Sequence, residues 1–244
     1  MVSKNNGVSA VKNELVIHHH LGLGDHFDMN GMVRHYLNIY DKVHVFSKES
    51  YLPMVEYMYR DNDNIIVHEL GFPEDELMSV EVFIEQNNVE NFLRIGFENY
   101  PFGLEEQLGK NCWEFFYEQV GVPKEVRVRD FYCKRDEEEE TRVLEKLNPT
   151  GKPFVFVHDD PARGFKVDRS VIDSSFNIIE NDTSENIFYF LKVLEEAEAI
   201  HCMESSFKSL IDLYAKTEQL HYHDFRNQPL GSHTNKKWHI IKYD

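Results

Sequence analysis

Leu15-Val16-Ile17, followed by Leu21-Gly22-Leu23-Gly24-Asp25-His26, is the stretch on which the fold of this chain turns. The short apolar run suits a buried strand. Two glycines then allow a tight turn, and Met29, Met32, Val33, Tyr36 and Leu37 recur at helical spacing. Strand, glycine turn and helix start place residues 22–26 at the carboxyl end of a parallel strand, where open α/β sheets bind their ligands. Free N–H groups at a helix start favour an anion. Asp25 and His26 stand beside that position, placed for acid–base chemistry. A glycine pair is weak evidence alone, and the plain alternative is a βα turn with Asp25 as the helix cap.

The alternation continues outward. Strand-like runs at 42–46, 64–69 and 89–95 are interleaved with helical patterns at 28–39 and near 51–59, 74–85 and 104–119. Repeated βα units predict an α/β fold with parallel sheets flanked by helices. Residues 127–133 read as extended and 137–147 as a helix, whose acidic start Glu137–Glu140 suits the helix dipole. Asn148-Pro149-Thr150-Gly151-Lys152-Pro153 is the strongest breaker cluster, so a domain boundary is expected there, giving 1–148 and 149–244. The second half reads as strands at 154–158, 171–173, 177–180, 199–202 and 220–223, with helices near 184–195 and 207–215.

Composition narrows the partners. The 244 residues carry a net charge of −17, against a nucleic-acid or anionic membrane surface. No apolar run is long enough to span a membrane, and residues 1–12 lack the apolar core of a signal peptide. Cys112, Cys133 and Cys202 are scattered and odd in number, which fits reduced thiols in a cytoplasmic protein.

Three further clusters carry chemistry. His18-His19-His20 alternates along a strand, with His18 and His20 on one face. Together with Asp25 and His26 they offer imidazole and carboxylate to zinc or iron, but the spacing matches no metal motif. Val157-His158-Asp159-Asp160-Pro161-Ala162-Arg163-Gly164 leaves a strand and puts Arg163 where it can pair with a diphosphate, or simply with Asp159 or Asp160. Met203-Glu204-Ser205-Ser206-Phe207 opens a helix with two serines, as a phosphate cradle or as plain N-caps.

Together these stretches resemble the GT-B glycosyltransferases. Leu23-Gly24-Asp25 is similar to the first turn of the heptosyltransferase-type enzymes, and Val157 through Arg163 to the basic loop of the fucosyltransferase-type enzymes. Glu204-Ser205-Ser206-Phe207 is similar to the helix start near the donor in both groups. The resemblance implies two Rossmann-like domains facing a cleft, with acceptor on 1–148 and nucleotide-sugar donor on 149–244. It makes Asp25 the base, with His26 assisting. Gly22, Gly24, His158, Arg163, Glu204, Ser205 and Ser206 then bind substrate, and Arg163 with the serine helix start takes the leaving diphosphate. Neither metal nor cofactor is implied; Asp61-Asn62-Asp63 has the letters of a metal–diphosphate motif but sits in a polar turn. The expected reaction is an inverting transfer from a nucleotide-diphosphate sugar to a hydroxyl of a glycan or small molecule. The alternatives are a sugar-nucleotide epimerase, or a non-catalytic sugar-nucleotide or glycan binding protein.

Overall fold

The computed structural model describes residues 13–97, 109–226 and 236–243. The first half is a four-stranded parallel sheet in the order β3-β2-β1-β4, built from β1 (Glu14–His18), β2 (Lys42–Ser47), β3 (Ile65–Glu69) and β4 (Asn91–Arg94). Helices α1 (Leu23–Tyr36), α2 (Leu52–Tyr59) and α3 (Glu76–Asn87) connect them. Three helices follow, α4 (Cys112–Gln119), α5 (Val126–Arg129) and α6 (Glu137–Leu147). The second half is a five-stranded parallel sheet, β6-β5-β7-β8-β9. Its strands are β5 (Phe154–Val157), β6 (Asn177–Glu180), β7 (Ala199–Cys202), β8 (Leu220–Asp224) and β9 (Trp238–Lys242), with α7 (Leu191–Glu196) and α8 (Ser206–Tyr214) among them.

Both sheets reverse direction near their middle. The chain steps outward from β1 to β3 and then returns to put β4 on the other side of β1; likewise β6 lies on one side of β5, and β7 to β9 on the other. A reversal of strand order opens a crevice at the carboxyl ends of the strands flanking it. The loops after β1, β5 and β7 therefore sit at two crevice mouths, one per sheet.

The helices meet between the sheets. Helix α1 packs on α4, α5 and α8, and its contact with α5 depends on Gly31. A methyl added there would stand 2.3 Å from the carbonyl oxygen of Val126, well inside contact distance. Phe27 of α1 meets the ring of Phe188 edge-on at 5.2 Å, and Tyr57 of α2 stacks on the same ring at 5.5 Å. One hydrophobic core runs through both halves, from Leu15 and Ile17 to Ile200 and Leu220.

Several expected elements differ. Helix α1 begins at Leu23, not Asp28, so Gly24, Asp25 and His26 lie within its first turn rather than in a loop. The segment expected to be extended at 127–133 begins with the helical turn α5, and no strand forms at 171–173, where the 3-10 turn Arg169–Val171 ends. Residues 187–190 form a 3-10 turn that leads into a short α7. Strand β9 was not expected. Residues 104–108 of the expected helix near 104–119 lie outside the described residues.

Candidate active site

An open cleft of about 700 Å³ lies between the two sheets, on the side of their carboxyl ends. Its walls come from the start of α1 (Gly22, Gly24, Asp25, Asp28), the loop after β5 (His158 to Arg163) and the start of α8 (Glu204 to Ser206, Lys208, Ser209). Of the nine residues expected at the site, eight line this cleft: Gly22, Gly24, Asp25, His158, Arg163, Glu204, Ser205 and Ser206. A methyl placed on Gly24 would stand 3.8 Å from Cα of Ser206, so the N-termini of α1 and α8 converge. Their aligned peptide dipoles favour negative charge between them.

Asp25 is the third residue of α1, and its Oδ2 accepts from the N–H of Gly22 at 3.2 Å. Burial and the neighbouring Asp28 carboxylate push its pKa up to about 7, against the lowering effect of that hydrogen bond. A carboxyl with this pKa can take up and release a proton near neutrality.

His26 stands elsewhere. Its ring is fully buried away from the cleft, edge-on to His19 at 4.7 Å, and burial holds its pKa well below the usual histidine range. One residue along a helix is a rotation of about 100°, so Asp25 and His26 cannot share a face. His18 and His20 do lie on one side, both against Phe97, while His19 joins His26. Among the described residues, no three His, Cys, Asp or Glu side chains come together as a metal site.

Arg163 lines the cleft with its guanidinium already engaged. Its Nε donates to Asp160 Oδ2 at 2.5 Å and one Nη donates to the backbone carbonyl of Glu204 at 2.6 Å, tying the loop after β5 to the start of α8. His158 Nδ1 donates to Asn181 Oδ1 at 3.0 Å, and its ring packs on Phe207. Glu204 has its carboxyl pushed up by burial, and its Oε2 makes no hydrogen bond among the described residues. Ser205 caps no backbone N–H with its side chain; its hydroxyl donates to the carbonyl of Met203 at 3.3 Å.

The structure adds residues that the sequence did not single out. Asp28 is buried beneath Asp25 and accepts at Oδ1 from Arg127 Nε at 2.9 Å, Arg127 Nη2 at 2.6 Å and Ser209 Oγ at 3.2 Å. Arg127 is 1% exposed and lies over the Trp113 ring. Lys208 is 3% exposed and faces the cleft. One sequence signal could have found Lys208: it follows Ser205 by three residues, the spacing that puts two side chains on one helix face.

No family model matches the sequence, and no curated protein matches it. The three-dimensional structure does have matches. A glycosyl transferase of family 9 from Veillonella parvula DSM 2008 superposes with a TM-score of 0.55 at 9% identity, covering 95% of this chain and 86% of that one. The ADP-heptose lps heptosyltransferase II of E. coli superposes with a TM-score of 0.56 at 10% identity, covering 95% of this chain and 90% of that one. The chain has the heptosyltransferase-like GT-B fold. In GT-B terms the cleft just described lies between the two Rossmann-like halves, with Asp25 on one wall and the α8 start on the other. No helix among the described residues is long and apolar enough to cross a membrane.

Proposed function

We propose that this protein is a glycosyltransferase that moves a sugar from a nucleotide-diphosphate donor to an acceptor hydroxyl. One observation carries the reading: Asp25, with its pKa raised to about 7, faces the N-terminus of α8 across the cleft. A base belongs beside the attacking hydroxyl, and positive potential belongs beside the departing phosphate.

In this reading residues 1–148 hold the acceptor and 149–244 the donor. The acceptor hydroxyl gives its proton to Asp25 while its oxygen attacks the anomeric carbon. The bond from that carbon to the phosphate oxygen breaks, and its electron pair leaves with the diphosphate. A single base opposite a single leaving-group site suits direct displacement, hence inversion. His26 takes no part, because it points into the core. Arg163 holds the donor loop against α8 and offers its remaining N–H groups to the ligand. With cations and helix N-termini to offset the leaving charge, turnover is expected to persist after dialysis against EDTA. Activity lost on chelation and regained with a divalent ion would refute that part.

The hydrogen bond from Gly22 to Asp25 favours a second reading, in which Asp25 only caps α1 and the protein binds sugar nucleotides without turning them over. Nucleotide release from a panel of nucleoside-diphosphate sugars, with and without candidate acceptors, decides between the two. Release accelerated by acceptor supports a transferase. Binding without release supports the second reading, and sugar conversion without acceptor supports an epimerase.

A further inference from the structure

Lys208 is a buried ammonium group with one ion-pair partner among the described residues. It is the third residue of α8, 3% exposed, and lines the cleft. Its nearest carboxylate oxygen is Asp212 Oδ2, one helical turn on, at 3.6 Å. That is beyond hydrogen-bond reach, and the other oxygen of Asp212 accepts from Trp238 Nε1 at 3.1 Å. An ammonium carries three donors, and this ion pair engages at most one of them. A buried cation left in this state is costly unless something supplies the missing acceptors.

The other charges around the cleft are accounted for. Asp28 is held by Arg127, Asp159 by Arg169 at 2.8 Å, and Asp160 by Arg163 at 2.5 Å. Burial raises the pKa of Asp25 and of Glu204, and the nearby Lys208 charge works against that rise at Glu204. Lys208 is therefore a cleft cation with donors to spare, and unlike Arg163 it is not held by a short carboxylate hydrogen bond. It stands in the first turn of α8, where the backbone N–H groups also lack an acceptor from the Ser205 side chain, and the start of α1 converges on the same place. Two helix starts and one ammonium suit an anion with more than one charge.

We propose that Lys208 binds the diphosphate of the donor, and that it, rather than Arg163, is the principal cation stabilising the leaving group. This rests on the donor reading above. The ammonium offsets the charge that the departing phosphate oxygen gains with the electron pair of the broken bond.

The test compares wild type with Lys208→Met and Lys208→Arg by calorimetry, using inorganic pyrophosphate, the nucleoside diphosphates ADP, GDP and UDP, and the free nucleosides. Lys208→Met is expected to lose about 10- to 100-fold in affinity for pyrophosphate and for whichever diphosphate binds, the range for a hydrogen bond to a charged group. The free nucleosides should be unaffected, and Lys208→Arg should stay within a few-fold of wild type. If Lys208→Met does not fold, as judged by its thermal transition, Lys208→Gln takes its place. Pyrophosphate affinity unchanged in the variant, or no pyrophosphate binding by wild type, overturns the proposal. Lys208-dependent binding with no sugar transfer upholds the anion site and overturns the transferase reading. Transfer at wild-type kcat/KM in Lys208→Met does the opposite.

Discussion

In the proposed mechanism one carboxyl, Asp25, serves structure and chemistry together. As the third residue of α1 it accepts from the Gly22 N–H, and as part of the cleft wall it is poised to take a proton. Asp25→Asn separates the two roles, because an amide oxygen still accepts from Gly22 while the base is gone. Turnover should fall by about 10²- to 10⁴-fold, with donor affinity and thermal midpoint nearly unchanged. A purified variant that keeps its rate would remove Asp25 from the mechanism. The raised pKa adds a second expectation. A base works deprotonated, so kcat/KM should climb as pH rises through about 7. The Asp28 carboxylate helps hold that value up, so Asp28→Asn should move the inflection to lower pH; a pH profile with its inflection unmoved would show that Asp28 does not act on the base.

At the scale of elements, the buried pair of Asp28 and Arg127 ties α1 to α5, and Ser209 brings in α8. Arg127→Ala leaves Asp28 without its main donor, and removal of one partner from a buried pair typically costs about 3–5 kcal/mol. Adding Asp28→Asn should restore a good part of that loss, since no lone charge then remains. Urea unfolding of both single variants and the double variant measures the coupling; an Arg127→Ala cost below about 1 kcal/mol would show that the pair does not hold these helices together. The same residues show where the sequence stops being readable. Strands β1, β2, β5 and β7 stand out because buried parallel strands are short apolar runs. Val126-Arg127-Val128-Arg129 alternates like a strand, yet it forms a helical turn in which Arg127 points inward to Asp28. A partner 99 residues away helps make that burial possible, and no local pattern records it. Lys208 and Asp28 escaped notice for the same reason: a charged residue on an amphipathic helix reads as surface until its neighbours are known. The start of α1 was hidden differently, because Gly22 and Gly24 read as turn formers although Gly24 lies inside the helix.

The whole molecule joins two halves through one core, so a destabilising change in either should be felt by both. Histidines buried in each half make pH such a change. Burial lowers the pKa of His19 to about 3 and that of His26 well below the usual range, in the first half. In the second half, burial with neighbouring histidines lowers His201 to about 3 and His223 to about 4. Their rings are packed together, with His201 Nδ1 2.9 Å from His223 Nε2 and His201 stacked on His221 at 4.3 Å. In the unfolded chain these imidazoles bind protons from about pH 6.5 downward, whereas in the folded chain they stay neutral. Acid therefore favours the unfolded state: their contribution is complete above about pH 6.5 and is lost as pH falls from there towards 4. Asp25 works against this trend, because its raised pKa lets the folded state take up a proton first as pH drops below about 7. The raised carboxyls of Asp25 and Glu204 oppose these four imidazoles, so the sum favours loss. Each fully buried imidazole can remove up to about 2 kcal/mol between pH 6.5 and pH 5, and two of them approach the lower end of a typical domain's total stability. The urea midpoint is thus expected to fall steadily from pH 7 to pH 5, in a single transition for both halves. His26→Gln, which removes one titrating ring, should flatten the slope below pH 6.5 even if it lowers stability at pH 7. A midpoint that holds or rises on acidification would mean that the buried histidines are protonated in the folded protein, with partners that offset their charge.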